Sequence, residues 1–229
     1  MMTTQTLGGS PARNLQRGKA VCLVSGGIDS PVALWLTIAA GIEPVGVFFD
    51  SYPLSDRRAK EIALRAIRIV RERAGLSPIR TYIIPHSPDA SEIVSSCQRN
   101  LACVLSRRAM FRIAGEIAHQ EGADAVVTGD VVGQKASQTL HNLFVTDSAT
   151  TGLPVVRPLI GMNKDEIERL ARTIGTFETS ISPGVAACGI PTRKPRTHSR
   201  LEEIAESEKR LDLDGMVRRA LDNAEILEV

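Results

Sequence analysis

The sequence has 229 residues, 43% of them hydrophobic and 24% charged, enough apolar material for one domain or slightly more and too much for a disordered chain. Aromatic residues make up only 3% (Phe 5, Tyr 2, Trp 1), so the core must be aliphatic, and a base-stacking RNA platform is disfavoured. Lysine and arginine number 28 against 26 acidic residues, a net charge of +2; taken as a total, this excludes a strongly basic nucleic-acid binder.

Residues 1–18 are polar, lack the apolar stretch of a secretory signal and read as a flexible lead. Strand-like apolar runs follow at Ala20–Ser25, Pro44–Phe49, Ile79–Ile84, Ala125–Thr128 and Val155–Arg157. Several are apolar without alternation, as expected of strands buried on both faces of a parallel sheet. The most apolar region, Val32–Phe49, is broken by Gly41, Glu43 and Pro44, so it reads as helix, turn and strand rather than a membrane span.

Between the second and third runs, Ala59, Ile62, Ala63, Ala66, Ile67 and Val70 repeat on one face of a helix over Asp56–Ala74. A second helix is predicted over Cys103–Glu121, ended by Gly122. A third opens on Asn163 and Glu166 at capping-box spacing and stops at Gly175. Five strand–helix units predict a doubly wound α/β fold with a parallel five-stranded sheet. Thr176–Arg200 is irregular. Ser199 and Glu202 then cap a further helix, and Leu213–Leu227 reads as another, so residues 199–229 form a helical tail behind a catalytic domain at 19–198. Four cysteines (Cys22, Cys97, Cys103, Cys188) do not make a disulfide scaffold, and the expected location is the cytoplasm.

Ser25-Gly26-Gly27-Ile28-Asp29-Ser30 joins the first strand to the first helix. Two glycines let the backbone approach an anion without an intervening Cβ, and helix N-terminal amides with the Ser25 and Ser30 hydroxyls can hold a phosphate or pyrophosphate. Asp29 suits the positive end of the helix dipole, and it is also placed to hold Mg2+ beside the phosphates. No Gly-Lys-Ser/Thr follows, and the pattern is not Gly-x-Gly-x-x-Gly, so neither a Walker loop nor a nicotinamide or flavin site is indicated.

The SGGIDS loop resembles that of the ATP pyrophosphatases, which split ATP between the α and β phosphates and attach AMP to a substrate oxygen. Further segments narrow the resemblance: Ser25–Ala33; Cys103–Met110; Val127-Thr128-Gly129-Asp130 running into Gly133–Leu140 (GQKASQTL); and Arg157–Lys164 (RPLIGMNK). From about Lys19 to His198 this ordered set resembles the catalytic domain of the ThiI family of tRNA 4-thiouridine synthetases, with an adenine nucleotide alpha-hydrolase-like fold. The resemblance implies ATP-dependent adenylation of a tRNA uridine, expected at position eight, and replacement of its carbonyl oxygen by sulfur. It implies Asp29, Lys164, Cys188 and Cys103 as catalytic residues. It implies nucleotide contacts from Ser25, Gly26, Gly27, Asp29, Ser30, Phe49, Asp50, Gly129, Asp130 and Gln138.

Lys164 carries an independent signal, because a cation in a first helical turn opposes the macrodipole by a few tenths of a kcal/mol and is a suspect beside a phosphate site. Arg107 and Arg108 are read as meeting either phosphate or solvent. His86 is read as a surface loop histidine without a role, and Cys22 as core.

Many relatives carry a Cys-x-x-Cys at the start of the second helix; here the sequence is Cys103-Val-Leu-Ser106. An iron–sulfur cluster would need Cys103, Cys188 and Cys97. The alternative is a redox pair, Cys103 with Cys188, in which one carries a persulfide and the other resolves it as a disulfide. The partners implied are tRNA, a sulfur-donor protein or sulfide, a separate THUMP-type tRNA-capturing subunit, and a second copy of the chain as a homodimer.

The net charge conceals an asymmetry. Residues 201–229 hold nine acidic and four basic side chains, or −5, leaving +7 for residues 1–200. RNA contact is expected either from Arg57, Arg58, Lys60, Arg65, Arg68, Arg71 and Arg73 or from Arg193–Arg200. Two other readings stay open: an ATP pyrophosphatase with another acceptor, such as a different tRNA thiolase or an amide-forming synthetase, and a nucleotide-binding subunit without turnover. A role in thiamine biosynthesis also stays open.

Overall fold

The computed structural model describes residues 17–181, 190, 192 and 194–229. Strand β1 (Lys19–Leu23) leads into α1 (Asp29–Ala39), β2 (Glu43–Asp50), α2 (Arg58–Ala74), β3 (Arg80–Pro85), α3 (Ser87–Ser96) and α4 (Ala102–Glu121). Then come β4 (Ala125–Val127), a 3-10 turn at Ala136–Gln138, α5 (Leu140–Asp147), β5 (Val155–Val156), α6 (Lys164–Ile174) and α7 (Phe177–Ser180). The chain closes with α8 (Leu201–Glu208), α9 (Leu213–Asp222) and β6 (Glu225–Glu228). Among the described residues no helix is long and apolar enough to cross a membrane.

The sheet order is β5-β4-β1-β2-β3-β6, parallel except for β6, which runs antiparallel to β3. The expected doubly wound sheet is present, but it has six strands rather than five. The extra strand corrects the reading of the tail. The helix predicted over Leu213–Leu227 stops at Asp222, and Glu225–Glu228 turns back along β3, extended by Val229 in reciprocal bonds with Ile79 of 2.8 and 3.0 Å. Glu and Leu favour helix locally, but the unpaired edge of β3 offers this segment backbone partners that a longer helix would leave exposed.

Successive β1 residues serve opposite faces, which explains the continuous apolar run. Ala20 and Cys22 pack with α1, α2 and α6, whereas Val21 packs with Val45, Val47, α4 and α9. Burial pushes the Cys22 thiol up to about 12, with a hydrogen bond to Thr37 opposing the shift, so this cysteine is core as expected. The α2 face predicted from spacing is buried at Ile62, Ala63, Ala66, Ile67 and Val70. Helix α6 carries the complete capping box: the Asn163 side chain accepts from the Glu166 amide at 2.9 Å and the Asn163 amide donates to Glu166 at 2.8 Å.

The chain winds outward from β1 through β2 to β3, then returns to lay β4 and β5 on the other side. The switch point therefore lies between the carboxyl ends of β1 and β4, where open α/β sheets bind ligands.

Candidate functional site

At this switch point the loop after β1 meets the loop after β4. Ser30 Oγ accepts from the Ser25 amide at 2.8 Å and lies 3.0 Å from Ser25 Oγ, which accepts from the Gly27 amide at 3.3 Å. The two hydroxyls expected to face a phosphate are thus engaged with each other and shape the loop. The groups left open toward an anion are backbone amides. Among the described residues the amides of Gly26, Ile28 and Asp29 donate to no acceptor, and no side chain caps α1. Unsatisfied donors at a helix N-terminus are what a phosphate group would satisfy.

Gly129 supports this loop from behind. A Cβ there would lie 2.7 Å from both the amide nitrogen and Cα of Ser30, and 2.9 Å from the Asp29 carbonyl carbon. The glycine thus allows β4 to brace the N-terminus of α1 by backbone contact.

Asp29 and Lys164 come together as expected. A cleft of about 230 Å³ is lined by Gly27, Asp29, Gln134, Lys164, Glu168 and Ser180. Lys164 opens α6, is 74% exposed, and lies 3.7 Å from Glu168, a weak surface contact that leaves the ammonium available. Ser180 Oγ donates to the Gly27 carbonyl at 3.3 Å, fastening α7 to the loop. Burial raises the Asp29 carboxyl above its ordinary value; Lys135 pulls it back, Asp130 pushes it further up, and Lys164 pulls it down.

Gln134 and Lys135 were not singled out from sequence, although they lie inside the quoted Gly133–Leu140 segment. Their position becomes visible only through the loop's closure: the Gly133 amide bonds to the Gln138 carbonyl at 2.9 Å and the Gln138 amide to the Lys135 carbonyl at 2.8 Å. The exposed Lys135 side chain makes no ion pair among the described residues.

Asp130 and Gln138 were expected to contact nucleotide; the structure places them in one buried network. Asp130 accepts from Thr128 at 2.7 Å and from Gln138 Nε2 at 3.0 Å, and pairs with Arg107 and Arg157. Burial opposes ionisation of Asp130, but Arg107, the bonds from Thr128 and Gln138, and Arg157 hold the carboxyl below its ordinary value. The network fixes the loop carrying Gln134 and Lys135.

Arg107 and Arg108 correct the expectation of phosphate or solvent. Arg107 serves Asp130. Arg108, 6% exposed, pairs with buried Glu208 at 2.7 Å and also bonds the Val145 carbonyl and, at 2.7 Å, Ser148. His86 is likewise no surface residue. It is fully buried, its amide donates to the Asp50 carbonyl at 2.7 Å, and Nε2 lies 2.7 Å from Ser106 Oγ. That backbone bond continues the β2–β3 ladder and carries the imidazole beneath α4. At the end of β2, half-buried Phe49 meets the His86 ring edge-on at 5.5 Å, and Asp50 Oδ1 accepts from the Tyr52 amide at 3.0 Å.

Cys188 lies outside the described residues. Cys103 is half-buried at the start of α4. Cys97 donates to the Ser207 carbonyl at 3.4 Å, and burial raises its thiol; a protonated, engaged thiol is a poor ligand. Among the described residues no three His, Cys, Asp or Glu side chains converge on a metal position.

A glycine-turned loop, an uncapped helix N-terminus and the exposed Lys164 at the switch point of a parallel sheet place the chain among the doubly wound α/β proteins, whose ligands bind at that point. Comparison with known proteins narrows the class. Residues 15–213 match the family described as thiamine biosynthesis protein (ThiI). The chain is 45% identical over 213 residues to a probable tRNA sulfurtransferase of Acetivibrio thermocellus, covering 93% of this chain and 54% of that protein. It is 37% identical over 227 residues to the Methanosarcina mazei counterpart, covering 99% and 55%. A solved 4-thiouridine synthetase in complex with RNA and ATP superposes with a TM-score of 0.86 at 38% identity, over 92% of this chain and 55% of that one. The chain belongs to the ThiI family. It spans about half the length of the relatives it matches.

Proposed function

We propose that the chain performs the ATP-dependent chemistry of a tRNA sulfurtransferase, converting a uridine, expected at position eight of tRNA, to 4-thiouridine. One observation carries the reading: Ile28 and Asp29, whose amides donate to no acceptor among the described residues, line a cleft together with Lys164, in a chain that resembles an ATP-bound, RNA-bound synthetase. These amides hold the nucleotide's phosphates, and Asp29 would hold the accompanying Mg2+, which screens phosphate charge. The uridine carbonyl oxygen attacks the α-phosphorus, and pyrophosphate leaves. Lys164 stabilises the charge that develops on the phosphoryl oxygens.

AMP is a better leaving group than a carbonyl oxygen. A persulfide on Cys188 attacks the activated carbon and expels AMP. The Cys103 thiol then attacks the inner sulfur, releasing the thiolated base and forming a disulfide that a dithiol reductant reopens. A persulfide-bearing donor protein passes its outer sulfur to the Cys188 thiol and keeps its own thiol; sulfide, already at the reduced level, would instead attack the activated carbon directly and expel AMP. A THUMP-type partner presenting tRNA, a homodimeric assembly and a cytoplasmic location complete the proposal.

Lys164→Met tests it. In reactions with ATP, tRNA and a sulfur source, mass spectrometry of digested nucleosides should detect 4-thiouridine with the wild-type chain and none with the variant. Equal turnover by both would refute the assignment of Lys164. No 4-thiouridine from the wild type would refute the function.

A further inference from the structure

A second cleft, of about 530 Å³, is lined by Arg196, Thr197, His198, Arg200 and Glu203. His141 of α5 stacks on His198 with ring centroids 3.6 Å apart and planes inclined by 33°. On the same exposed stripe of α5, Phe144 is 67% and Leu140 68% exposed. In a chain with eight aromatic residues, only Phe144 and Tyr52 are exposed, so an uncovered phenylalanine here calls for an occupant. Arg196 is half-exposed and pairs with Glu203 at 2.6 Å, whereas exposed Arg200 makes no ion pair among the described residues.

One buried side chain ties this surface to the catalytic loop. Asn142 is fully buried; its Nδ2 donates to the Ala136 carbonyl at 2.7 Å and the Arg196 carbonyl at 2.9 Å, and its Oδ1 accepts from the Ser199 amide at 3.0 Å. Thr139 Oγ1 adds a bond to the Thr197 carbonyl at 2.6 Å. The loop carrying Gln134 and Lys135 and the segment carrying Arg196 and Arg200 therefore share one rigid anchor.

Resting on the tRNA reading above, we propose that this surface, the exposed stripe of α5 with Arg196–Arg200, receives an unpaired stretch of the tRNA next to the uridine in the cleft. Guanidinium groups meet phosphates, while Phe144 and the stacked imidazoles offer faces to bases, the combination that single-stranded nucleic acid requires. The competing basic face, on α2, is less suited. Arg58, Lys60 and Arg71 are occupied by Asp56, Glu225 and Glu72, and among the described residues no hydrogen bond joins α2 to the cleft loop.

The test is fluorescence anisotropy with a labelled tRNA transcript across a salt series, with ATP binding and sedimentation measured in parallel. Phe144→Ala should weaken tRNA binding by about tenfold without changing the salt slope, and Arg200→Gln should lower that slope by about one unit. ATP binding should stay at the wild-type level in both, and Arg65→Gln on α2 should bind tRNA as the wild type does. If the wild type binds tRNA and both surface variants bind it equally well, this assignment falls while the function stands. A change in oligomeric state by Phe144→Ala with unaltered tRNA binding would also overturn it, showing that a second copy covers the face. A wild-type chain that binds no tRNA even at low salt removes the function and this surface together.

Discussion

Gly129→Ala isolates the packing that holds the loop between β1 and α1 in place. The added methyl would sit 2.7 Å from the Ser30 amide nitrogen and Cα, about 0.7 Å short of ordinary contact at 3.4 Å. Both neighbours are backbone, so no rotamer change relieves the clash, and the first turn of α1 must move with Asp29 and its free amides. Overpacking of this kind costs about 1–3 kcal/mol of stability. A displacement approaching 1 Å at a catalytic site can lower activity by about a hundredfold, so ATP affinity should fall roughly tenfold to a hundredfold.

Gly133→Ala is the matched control. Gly133 has φ +81 with nothing within 4 Å of its virtual Cβ, so alanine there costs about 1 kcal/mol of left-handed strain and should leave ATP affinity nearly unchanged. Isothermal titration with ATP and thermal unfolding of both variants separate the two effects. If Gly129→Ala loses stability yet binds ATP as tightly as the wild type, the loop does not depend on β4 for its geometry and the reasoning fails.

Removing Glu208 should expose its structural role. Glu208→Ala strands buried Arg108 and frees Arg112, which Glu208 meets at 2.6 Å, so urea unfolding should show a loss of about 3–5 kcal/mol. Burial works against ionised Glu208, but the bonds from Arg108 and Arg112 outweigh it and hold the carboxyl below its ordinary value. That stabilisation is complete above the unfolded-state value and disappears as pH falls through the lower folded-state value, so the variant should lose part of the wild-type acid-unfolding limb. Lys135→Ala should raise the KM for ATP roughly fivefold, about 1 kcal/mol for an exposed charge contact, with kcat little changed; an unchanged KM argues against the contact. Because the Asp29 carboxyl is raised, it protonates at higher pH than an ordinary carboxylate, and Mg2+-dependent ATP binding should weaken from that higher pH downward. Lys135→Ala removes a lowering influence and should move this acid limb further up; a downward shift would contradict the geometry.

Local signals were strong where neighbouring residues settle the matter. The glycine pair with Asp29 after an apolar strand located the turn from β1 into α1, and the capping box at Asn163 and Glu166 fixed where α6 starts and hence where Lys164 stands. Continuous apolar β1 and β2 announced a sheet covered on both faces because no alternation is possible when both sides are buried. Signals failed where the partner is remote in sequence. Glu225–Glu228 reads as helix until the free edge of β3 lies beside it. His86 reads as a loop residue until its amide extends the β2–β3 ladder and its ring reaches Ser106.

The same division runs through the site. The sequence by itself determined where the turn into α1 and the start of α6 fall, because a glycine turn and a helix cap are written within six residues. Only the tertiary structure decided that Gly129 meets the helix N-terminus by backbone contact, that Asp130 is satisfied by two arginines, and that Asp29 and Lys164 line one cleft. Those outcomes depend on which strand ends the crossovers bring together, and on burial that makes an unpaired charge too costly to leave unmatched.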